Sequence, residues 1–289
     1  ALGDTAQSLY IYEDLAYIVL NASETVQIVN RHSFEKVAEI TEGLENPRYI
    51  AVEGSYAYIT NWGDPTDESD DYVAVIDLNT NTVVENIEVD YGPEKILAHN
   101  GKLYVAHLGG WTEHNLLSII DAATHTLEKE IEVGDKPTAM AVVSNNLWVL
   151  SAGNPSYAAG GETNASLEIV DLGSQTVTKS FDFDTNGAGS LTYSDNNLYY
   201  VVSSTNWETY ETQTDVFKMS ATAESLPTEA LMSSSITHYG LAIYDGYLFL
   251  GDAKDYASDG DLLIYDLNSS ELVAKHEVGI SPNGIYSTK

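Results

Sequence analysis

The sequence predicts an all-β protein of the β-propeller class. A short apolar motif returns along the chain, β-type runs surround each copy, and turn residues separate the runs. The copies of the motif are Ile28–Asn30, Val75–Leu78, Ile119–Ala122, Ile169–Leu172, Val216–Met219 and Ile264–Leu267. Successive copies lie 44 to 50 residues apart. A period of about 40–50 residues made of short β-type runs is typical of a propeller, in which each repeat is one four-stranded blade.

Each repeat divides into four strands, A to D, from the predicted central axis outward. In the second repeat they are predicted at Arg48–Gly54, Tyr56–Asn61, Tyr72–Leu78 and Val83–Val89. Short turns rich in glycine, asparagine and aspartate join strands A and B, as tight hairpins require. Asp77 ends the apolar motif before the turn Asn79–Thr82. We expect its carboxylate to accept hydrogen bonds from that turn.

The number of strands does not divide evenly into blades. Six complete repeats begin with strand A at Ala6–Asp14, and Asn283–Lys289 adds the pattern of one more strand A. This extra strand predicts a seven-bladed propeller with one blade incomplete in this chain, its missing strands coming from residues upstream of Ala1. A six-bladed propeller with a spare strand is the alternative. Because the repeat runs the full length, residues 1–289 are predicted to form a single domain.

Composition narrows the classes of function. The formal net charge is -32, from 12 basic and 44 acidic residues. Nucleic acids and anionic membranes require basic patches, so neither is an expected partner. The acidity is interpreted as a source of solubility, and calcium binding by some carboxylates is the alternative. The absence of cysteine excludes disulfides and thiolate chemistry.

Sequences that cross or are exported through membranes have their own signatures. No apolar stretch approaches the roughly 18 residues that a membrane-spanning helix needs, so no transmembrane segment is expected in this chain. The first residues lack the basic and apolar regions of a signal peptide. A targeting segment, if the protein is exported, is therefore expected outside this sequence.

The loops from D to A and from B to C are predicted to meet on one face, around the mouth of the central channel. Five B-to-C loops are long, and each carries an aromatic residue near the same position: Trp62, Trp111, Tyr157, Trp207 and Tyr256. Large aromatic side chains are favoured at binding surfaces. They are therefore predicted to form a ligand surface, and the alternative is that each packs over its own loop. Trp148 lies in strand B and is predicted to be core.

The D-to-A connections contribute further candidate ligand-binding residues nearer the predicted axis. They are Arg48, Lys95, Lys136, His238, Tyr239 and Asn283. His107 is added because it stands in one loop region with His114 and Glu113. Of these, Arg48, Lys95, His107, His238 and Tyr239 join the five loop aromatics as the candidate ligand-binding set. Arg48 and Lys95 occupy the same structural step and are expected to point toward the channel.

Catalytic and metal-binding patterns are weak. The spacing of His107 and His114 matches no known zinc site. The acidic loop Asp64–Asp71 lacks the glycine and terminal glutamate of an EF-hand. No nucleophile elbow, phosphate-binding loop or dinucleotide fingerprint is present. The chain is predicted not to be an enzyme, with no catalytic residue, no metal site and no resident cofactor.

Two stretches of the chain resemble known surface propellers. "PRYIAVEGSYAYITNW" together with "VAVIDLNTNTVVENIEV" resembles the YVTN-type surface-layer propellers. "LGDTAQSLYIYEDLAYIVLNASETVQIVN" is similar to Bacteroidetes surface propellers that include the cobalamin-capturing lipoproteins partnering a TonB-dependent outer-membrane transporter. In that family a preceding stretch supplies the outer strands of the last blade. The resemblance implies a seven-bladed propeller at the cell surface, anchored to the outer membrane by a lipid outside this sequence.

The leading functional hypothesis combines the loop face with this resemblance. A non-catalytic capture protein would hold a cobalamin-like (vitamin B12) ligand on the loop face and pass it to the outer-membrane transporter. Preformed loops on a rigid scaffold suit tight capture, because little ordering is required on binding. The alternative is a propeller that binds a protein or a glycan. A hydrolase or quinoprotein-like enzyme is the second alternative, since propellers also host enzymes.

Overall fold

The structure is a computed structural model that describes residues 2–64, 66–110, 112–206, 208–209 and 211–287. It divides into two compact units, the first ending at Thr138 and the second running from Ala139 to Ser287. The described residues form strands, turns and irregular loops. None of them forms a helix long and apolar enough to cross a membrane.

The first unit contains three antiparallel sheets of four strands, each in simple sequential order. Blade 1 comprises β1 (Ala6–Tyr12), β2 (Leu15–Leu20), β3 (Thr25–Asn30) and β4 (Lys36–Ile40). Blade 2 comprises β5 (Pro47–Glu53), β6 (Tyr56–Asn61), β7 (Tyr72–Asp77) and β8 (Thr82–Glu88). Blade 3 comprises β9 (Pro93–His99), β10 (Lys102–His107), β11 (Leu116–Asp121) and β12 (Thr126–Glu132). The strands predicted in the second repeat are confirmed to within one or two residues.

The second unit repeats this plan in three more sheets. Blade 4 comprises β13 (Pro137–Val143), whose first two residues precede the unit boundary, β14 (Asn146–Ser151), β15 (Ser166–Asp171) and β16 (Thr176–Asp182). Blade 5 comprises β17 (Ala188–Ser194), β18 (Asn197–Asn206), β19 (Glu211–Ser220) and β20 (Met232–Ser234). Blade 6 comprises β21 (His238–Tyr244), β22 (Tyr247–Asp252), β23 (Asp259–Asp266) and β24 (Leu272–Ile280). The protein is therefore an all-β propeller with six described blades of four strands each.

In blades 1 to 4 the second and third strands form the core, because both of their faces are covered. In blade 2, Ile59 packs in a cluster with residues of blade 1, whereas its neighbour Tyr58 packs in a cluster with residues of blade 3. Successive side chains of a strand point to opposite faces. A strand buried on both faces is therefore apolar at consecutive positions instead of alternating. Trp148 of β14 is 1% exposed and stacks on Phe181, as a core residue should.

The polar residue at the end of the repeated motif stabilises the turn between the third and fourth strands. The Oδ1 atom of Asp77 accepts the N–H of Asn79 at 2.7 Å. Asp121, Asp171 and Asp266 accept turn amides in the same way, and Asn30 does so in blade 1. The predicted role of this residue is confirmed.

The prediction of a seventh, incomplete blade is not supported, and the six-bladed alternative is. The extra strand A was expected at Asn283–Lys289, and the described part of that segment, Asn283–Ser287, forms no strand, nor do Ser281 and Pro282 before it. The backbone of Ser281–Ser287 instead packs onto blade 6, where Pro282 lies over three glycines. A Cβ atom at Gly240, Gly251 or Gly260 would lie only 2.8, 2.2 or 2.7 Å from an atom of Pro282. Because these three positions of blade 6 are glycines without side chains, the segment has room to pack there.

Blade 5 departs from the common plan. Its second and third strands have ten residues each, whereas β2, β6, β10 and β14 have six. The ladder between β18 and β19 continues without interruption from Asn197↔Ser220 to Asn206↔Glu211. Its fourth strand, β20, has three residues and pairs only with Thr214–Val216. A long hairpin therefore extends beyond the sheet that supports it.

Replacing Gly251 by alanine is expected to destabilise the protein, because the new methyl group would overlap the carbonyl oxygen of Pro282. Overpacking of this kind costs about 1–3 kcal/mol of unfolding free energy. Urea denaturation measures the loss. Gly279→Ala is the matched control, since that position in β24 has no atom within 4 Å of an added Cβ. Equal stability of the two variants would contradict the packing of Ser281–Ser287 on blade 6.

Candidate functional site

Within the first unit, the D-to-A and B-to-C loops lie against each other. The N–H of Trp62, in a B-to-C loop, donates to the carbonyl of Asn46, in a D-to-A loop. The N–H of Leu108 donates to the carbonyl of Gly92 in the same relation one blade later. In the second unit, the N–H of Ala253 donates to the carbonyl of Thr237 in the same relation. Each unit therefore has a loop face built as the sequence predicted.

The first strand of a blade carries a β-bulge close to this face. Register shifts occur at Gln7, at Arg48–Tyr49 and at Glu94–Lys95 in the first unit, and at Ser190 and Tyr239 in the second. A bulge re-aims the side chains of the strand and is common next to functional sites. Three of the sequence candidates, Arg48, Lys95 and Tyr239, stand at these bulges. The bulges therefore explain why polar side chains gather at this end of the first strands.

Arg48 is held by two partners. Its guanidinium makes a bidentate contact with Glu94, with Nε–Oε2 and Nη2–Oε1 distances of 2.8 and 3.1 Å. It also lies 4.0 Å from the centroid of the Trp62 ring. The side chains of Arg48 and Glu94 are only 15% and 7% exposed. Arg48 and Trp62 are thus in contact. Arg48, however, forms a buried ion pair with Glu94, and the Trp62 ring covers that pair.

Trp62 is fixed from its other edge as well. Its indole Nε1–H donates to the carbonyl of Pro93 at 3.1 Å. The ring therefore closes over the junction between blades 2 and 3. The sequence analysis did not identify Glu94, the residue that pairs with Arg48. Glu94 directly precedes the candidate Lys95 in the strand that faces Arg48, and this position could have indicated it.

Lys95 lies beside Tyr49. Its ammonium group is 3.6 Å from the centroid of the Tyr49 ring. Burial raises the pKa of Tyr49, and the neighbouring Glu94 carboxylate raises it further. Thr60 ties the two bulges together, because its hydroxyl donates to the carbonyl of Glu94 and accepts the N–H of Tyr49. The first strands of the first unit thus form a continuous polar network.

The acidic loop of blade 2 closes around a buried carboxyl group. Asp71 is 5% exposed and accepts the N–H of Gly92 at 3.2 Å. Burial raises the pKa of Asp71 to about 7, and the carboxylates of Asp70, Asp90 and Asp67 raise it as well. Asp71 therefore changes its charge near neutral pH. Its neighbour Asp64 instead has a lowered pKa, because Thr66 donates to its carboxylate.

His107 lies beneath the loop that follows it and has no exposed surface. Its Nε2 atom is 2.9 Å from the Ser118 hydroxyl, and its Nδ1 atom is 3.2 Å from the carbonyl of Tyr91. Burial lowers the pKa of His107 to about 4, so the ring is neutral at neutral pH. His114 stacks on Tyr91 above it, with ring centroids 4.4 Å apart. The pair of histidines supports the loop from inside.

In the second unit, His238 begins blade 6 next to the bulge of blade 5. Its Nε2 atom is 3.0 Å from the hydroxyl of Ser190, which has a φ of 48°. Burial lowers the pKa of His238 to about 4. Its Nδ1 atom has no hydrogen-bond partner among the residues that the structure describes. No described group therefore orients the ring through its second nitrogen, as the third member of a catalytic triad would.

Three of the predicted aromatics are exposed on the loop face of the second unit. Tyr239 and Tyr256 meet edge to face, with centroids 5.6 Å apart, and are 41% and 55% exposed. Tyr157, in the loop of blade 4, is 81% exposed. Trp111 and Trp207 lie outside the described residues. The ligand-binding role assigned to these side chains stays a prediction.

A groove of about 700 Å³ lies between the long hairpin of blade 5 and the loops that begin and cross blade 6. One wall is formed by Ser204, Asn206, Glu211, Thr212 and Gln213, and the other by Ser235, Ile236, Thr237, Asp252 and Lys254. Its volume is that of a typical ligand site, about 300–1,000 Å³. Almost every lining side chain can form hydrogen bonds. The groove therefore suits a polar occupant.

The groove exists because β20 leaves β19 early. The N–H of Thr237 donates to Asp252 at 3.0 Å, and its carbonyl accepts the N–H of Ala253. These contacts draw the chain toward blade 6 directly after Ser234. The sequence analysis placed Trp207 in a long B-to-C loop, so it did not predict the extended strands β18 and β19 that border the groove. The signal was present, since the strand-like pattern of "VVSSTN" and "ETQTDVFKM" continues past the apolar core.

The described histidine and carboxylate side chains do not gather into a metal site. Among the residues that the structure describes, no group of three or more histidine, aspartate or glutamate side chains could hold a metal ion. In the blade 2 loop, Asp64 and Asp67 instead accept hydrogen bonds from residues of their own loop, Thr66 and Ser69.

Comparison with known proteins gives the family and the fold. Residues 1–251 match the family described as "Domain of unknown function (DUF5074)", and the chain belongs to that family. No curated protein matches the sequence.

Solved structures are similar to the chain over nearly its whole length. Kuenenia stuttgartiensis hydrazine synthase is 16% identical, with a TM-score of 0.73 over 93% of this chain and 85% of that chain. A functionally unknown protein from Desulfotomaculum acetoxidans is 14% identical, with a TM-score of 0.69 over 98% and 88% of the two chains. The β-propeller domain of Myceliophteria thermophila Cps50 (Swd1) is 12% identical, with a TM-score of 0.65 over 96% and 87%. At such low identity these similarities show a shared propeller fold.

Breaking the Arg48–Glu94 pair from one side is expected to be costly. Glu94→Leu would leave the Arg48 guanidinium buried without its carboxylate, and such a change costs about 3–5 kcal/mol of unfolding free energy. The double variant Arg48→Leu/Glu94→Leu should recover most of that loss, because no charge is then left uncompensated. Urea denaturation of the four proteins gives the coupling energy. Additive effects of the two single changes would show that the pair is not coupled.

Asp71→Asn is expected to raise stability at alkaline pH and to change it little at acidic pH. Since the pKa of Asp71 is about 7 in the folded protein and near 4 when unfolded, the folded state holds more protons between these values. The wild type therefore loses stability as pH rises through 7, whereas asparagine stays neutral. Thermal unfolding at pH 5 and pH 8 measures the difference.

Asp64→Asn is the matched control for Asp71. Its carboxyl group has a lowered pKa and stays ionised from pH 5 to pH 8, so its effect on the melting temperature should be equal at both. A pH-independent effect of Asp71→Asn would contradict the raised pKa of that group.

Proposed function

We propose that this member of the DUF5074 family is a non-catalytic binding protein whose partner occupies the groove of the second unit. The observation that carries this proposal is the groove itself, a cavity of about 700 Å³ with polar walls on the loop face. Loops on a rigid scaffold are where binding residues usually stand. A propeller that binds a protein or a glycan through such a face fits the fold.

The side chains around the groove support a polar partner. Asp252 uses one carboxylate oxygen, Oδ1, to accept the N–H groups of Thr237 and Lys254. Glu211, Gln213 and Ser235 are exposed along the rim. Tyr239 and Tyr256 follow closely in sequence after Thr237 and Lys254 and provide exposed rings on the same loop face. Hydrogen-bonding walls with nearby aromatic rings are a common composition for a binding site.

A binding role without catalysis is supported by the state of His238. This histidine contacts a hydroxyl nucleophile, Ser190, but no described group orients its second nitrogen. Its low pKa also makes it a weak base, and general bases work best with a pKa near the operating pH. We therefore propose that the Ser190–His238 contact is structural.

The finer version of the proposal is that the ligand is a cobalamin, handed to a TonB-dependent transporter at the outer membrane by a lipid-anchored surface protein. Its support is the resemblance of the N-terminal repeat to that family of surface propellers. A calorimetric titration with cyanocobalamin tests it. Binding at micromolar ligand that is lost when the groove is blocked would support it, and no heat at these concentrations would contradict it.

Blocking the groove is expected to abolish binding of its partner. Ser235→Trp places a large side chain at an exposed position of the rim, so the fold should be retained while the cavity is filled. Two probes are applied to the wild type, namely a displayed library of random linear octapeptides and a glycan array. Binders found on the wild type should bind at least tenfold more weakly to the variant.

Glu271→Trp is the control for the added ring. Glu271 is exposed in the turn between β23 and β24, at the other end of these strands from the groove. Binders should keep their affinity for this variant. If every binder of both classes tolerates Ser235→Trp as well as Glu271→Trp, the groove is not the binding site.

A further inference from the structure

The groove lies beside a strand edge that has no fourth strand. β19 runs from Glu211 to Ser220, but β20 pairs only with Thr214–Val216. In blade 3, by comparison, β12 pairs with β11 along all six residues from Leu116 to Asp121. The upper part of β19, Glu211–Gln213, is therefore hydrogen-bonded to β18 on one side and borders the groove on the other.

The direction of the backbone groups follows from the part of β19 that is paired. The carbonyl of Val216 accepts the N–H of Leu231, on the side of β20. Backbone groups along an antiparallel strand point alternately to its two neighbours. Thr214 and Thr212 therefore turn their N–H and C=O groups to the same side as Val216. For Thr212 that side is the groove.

The residues that could have paired with the upper part of β19 form other hydrogen bonds. Continuing the register of β20 would place residues 235–237 opposite residues 213–211. Instead, the carbonyl of Ile236 accepts the hydroxyl of Thr214, and Thr237 is bonded to Asp252 and Ala253. Within the described part of the chain, no backbone hydrogen bond joins Thr212 to these residues. The groove is the space from which a paired strand is missing.

The charge of the surroundings restricts the occupant. Glu211 and Asp252 line the groove, and Glu208 is exposed in the connection between β18 and β19. The single basic residue of the lining, Lys254, is 3.1 Å from the buried carboxylate of Asp261. The whole chain carries a formal charge of -32. The field at the groove therefore favours a cationic partner and repels another copy of this chain.

We infer that the groove accepts an extended cationic peptide segment, which pairs through its backbone with Thr212 at the free edge of β19. This inference rests on the function proposed above and specifies its partner. Addition of a strand to an exposed sheet edge is a recurring mode of peptide recognition, in which main-chain hydrogen bonds supply affinity and alternate side chains supply specificity. The occupant takes the place that a longer β20 would fill.

The test uses the peptide that binds the wild type most tightly in the octapeptide library. It is synthesised with a single N-methyl group at each position in turn. Methylation removes one N–H and keeps every side chain, so only positions that donate to β19 should lose affinity. We expect losses of about tenfold, near the value of one hydrogen bond, that alternate with a period of two residues. A profile without this alternation would overturn the inference.

Variants of the protein provide the complementary measurement. Thr212→Pro removes the N–H that faces the groove, and proline is tolerated at strand edges; it should weaken the peptide about tenfold. Thr212→Val keeps the backbone and should bind within about twofold of the wild type. Hydrogen exchange of the Thr212 amide should slow when the peptide is bound. The methylation scan uses the wild type and decides the question even if Thr212→Pro does not fold.

Other occupants give different results. If Ser235→Trp eliminates glycan binders but no peptide binder, the strand inference is wrong and the proposed function stands. If the chain itself associates and Thr212→Pro abolishes that association, the occupant is a second copy and the inference is also wrong. If Ser235→Trp affects no binder of either class, both the inference and the proposed function fail. Selected peptides that are acidic would contradict the argument from charge.

Discussion

Burial of both faces of the second and third strands is the constraint on which the rest of the structure depends. Once Ile59 and Tyr58 pack in clusters on opposite sides of blade 2, a shift of register by one residue would move each of them to the opposite face and disrupt both clusters. Strand order, turn positions and the repeated motif are then fixed. The backbone conformation can vary where the strands leave the core, namely at the bulges of the first strands and in the loops. The chemistry of the protein is therefore concentrated at one end of each blade.

The same constraint separates what the sequence could predict from what it could not. The strand Tyr56–Asn61 and the turn at Asn79–Thr82 follow from local patterns, and both were predicted to within one residue. The blade count failed at Asn283–Ser287, because the pattern of a strand does not reveal that Gly240 and Gly251 offer an alternative surface for that segment. Long-range packing decided between two conformations that the local sequence allows.

The candidate site was predicted less completely, for a related reason. Composition and spacing identified the loop face, and Arg48, Lys95, His238 and Tyr239 do lie at its first strands. Pairing partners are far apart in sequence, as Arg48 and Glu94 are, so a list of conspicuous side chains cannot show which of them are already engaged. The free edge at Thr212 was harder still, since a backbone group leaves no mark in the sequence. Only the early end of β20 makes it visible.

Acidity connects the free edge to the solubility of the protein. An unpaired strand edge is a template for association with other chains, and proteins usually protect such edges with charge. Here Glu211 stands at the edge itself, and a formal charge of -32 surrounds it. Two copies of the chain therefore repel each other at the distance where their edges could pair, whereas a cationic segment is attracted. The same charges thus disfavour a second copy of the chain and favour the proposed cationic segment. Charge would in this way give specificity to a backbone edge, whose hydrogen bonds do not depend on the side chains of the partner.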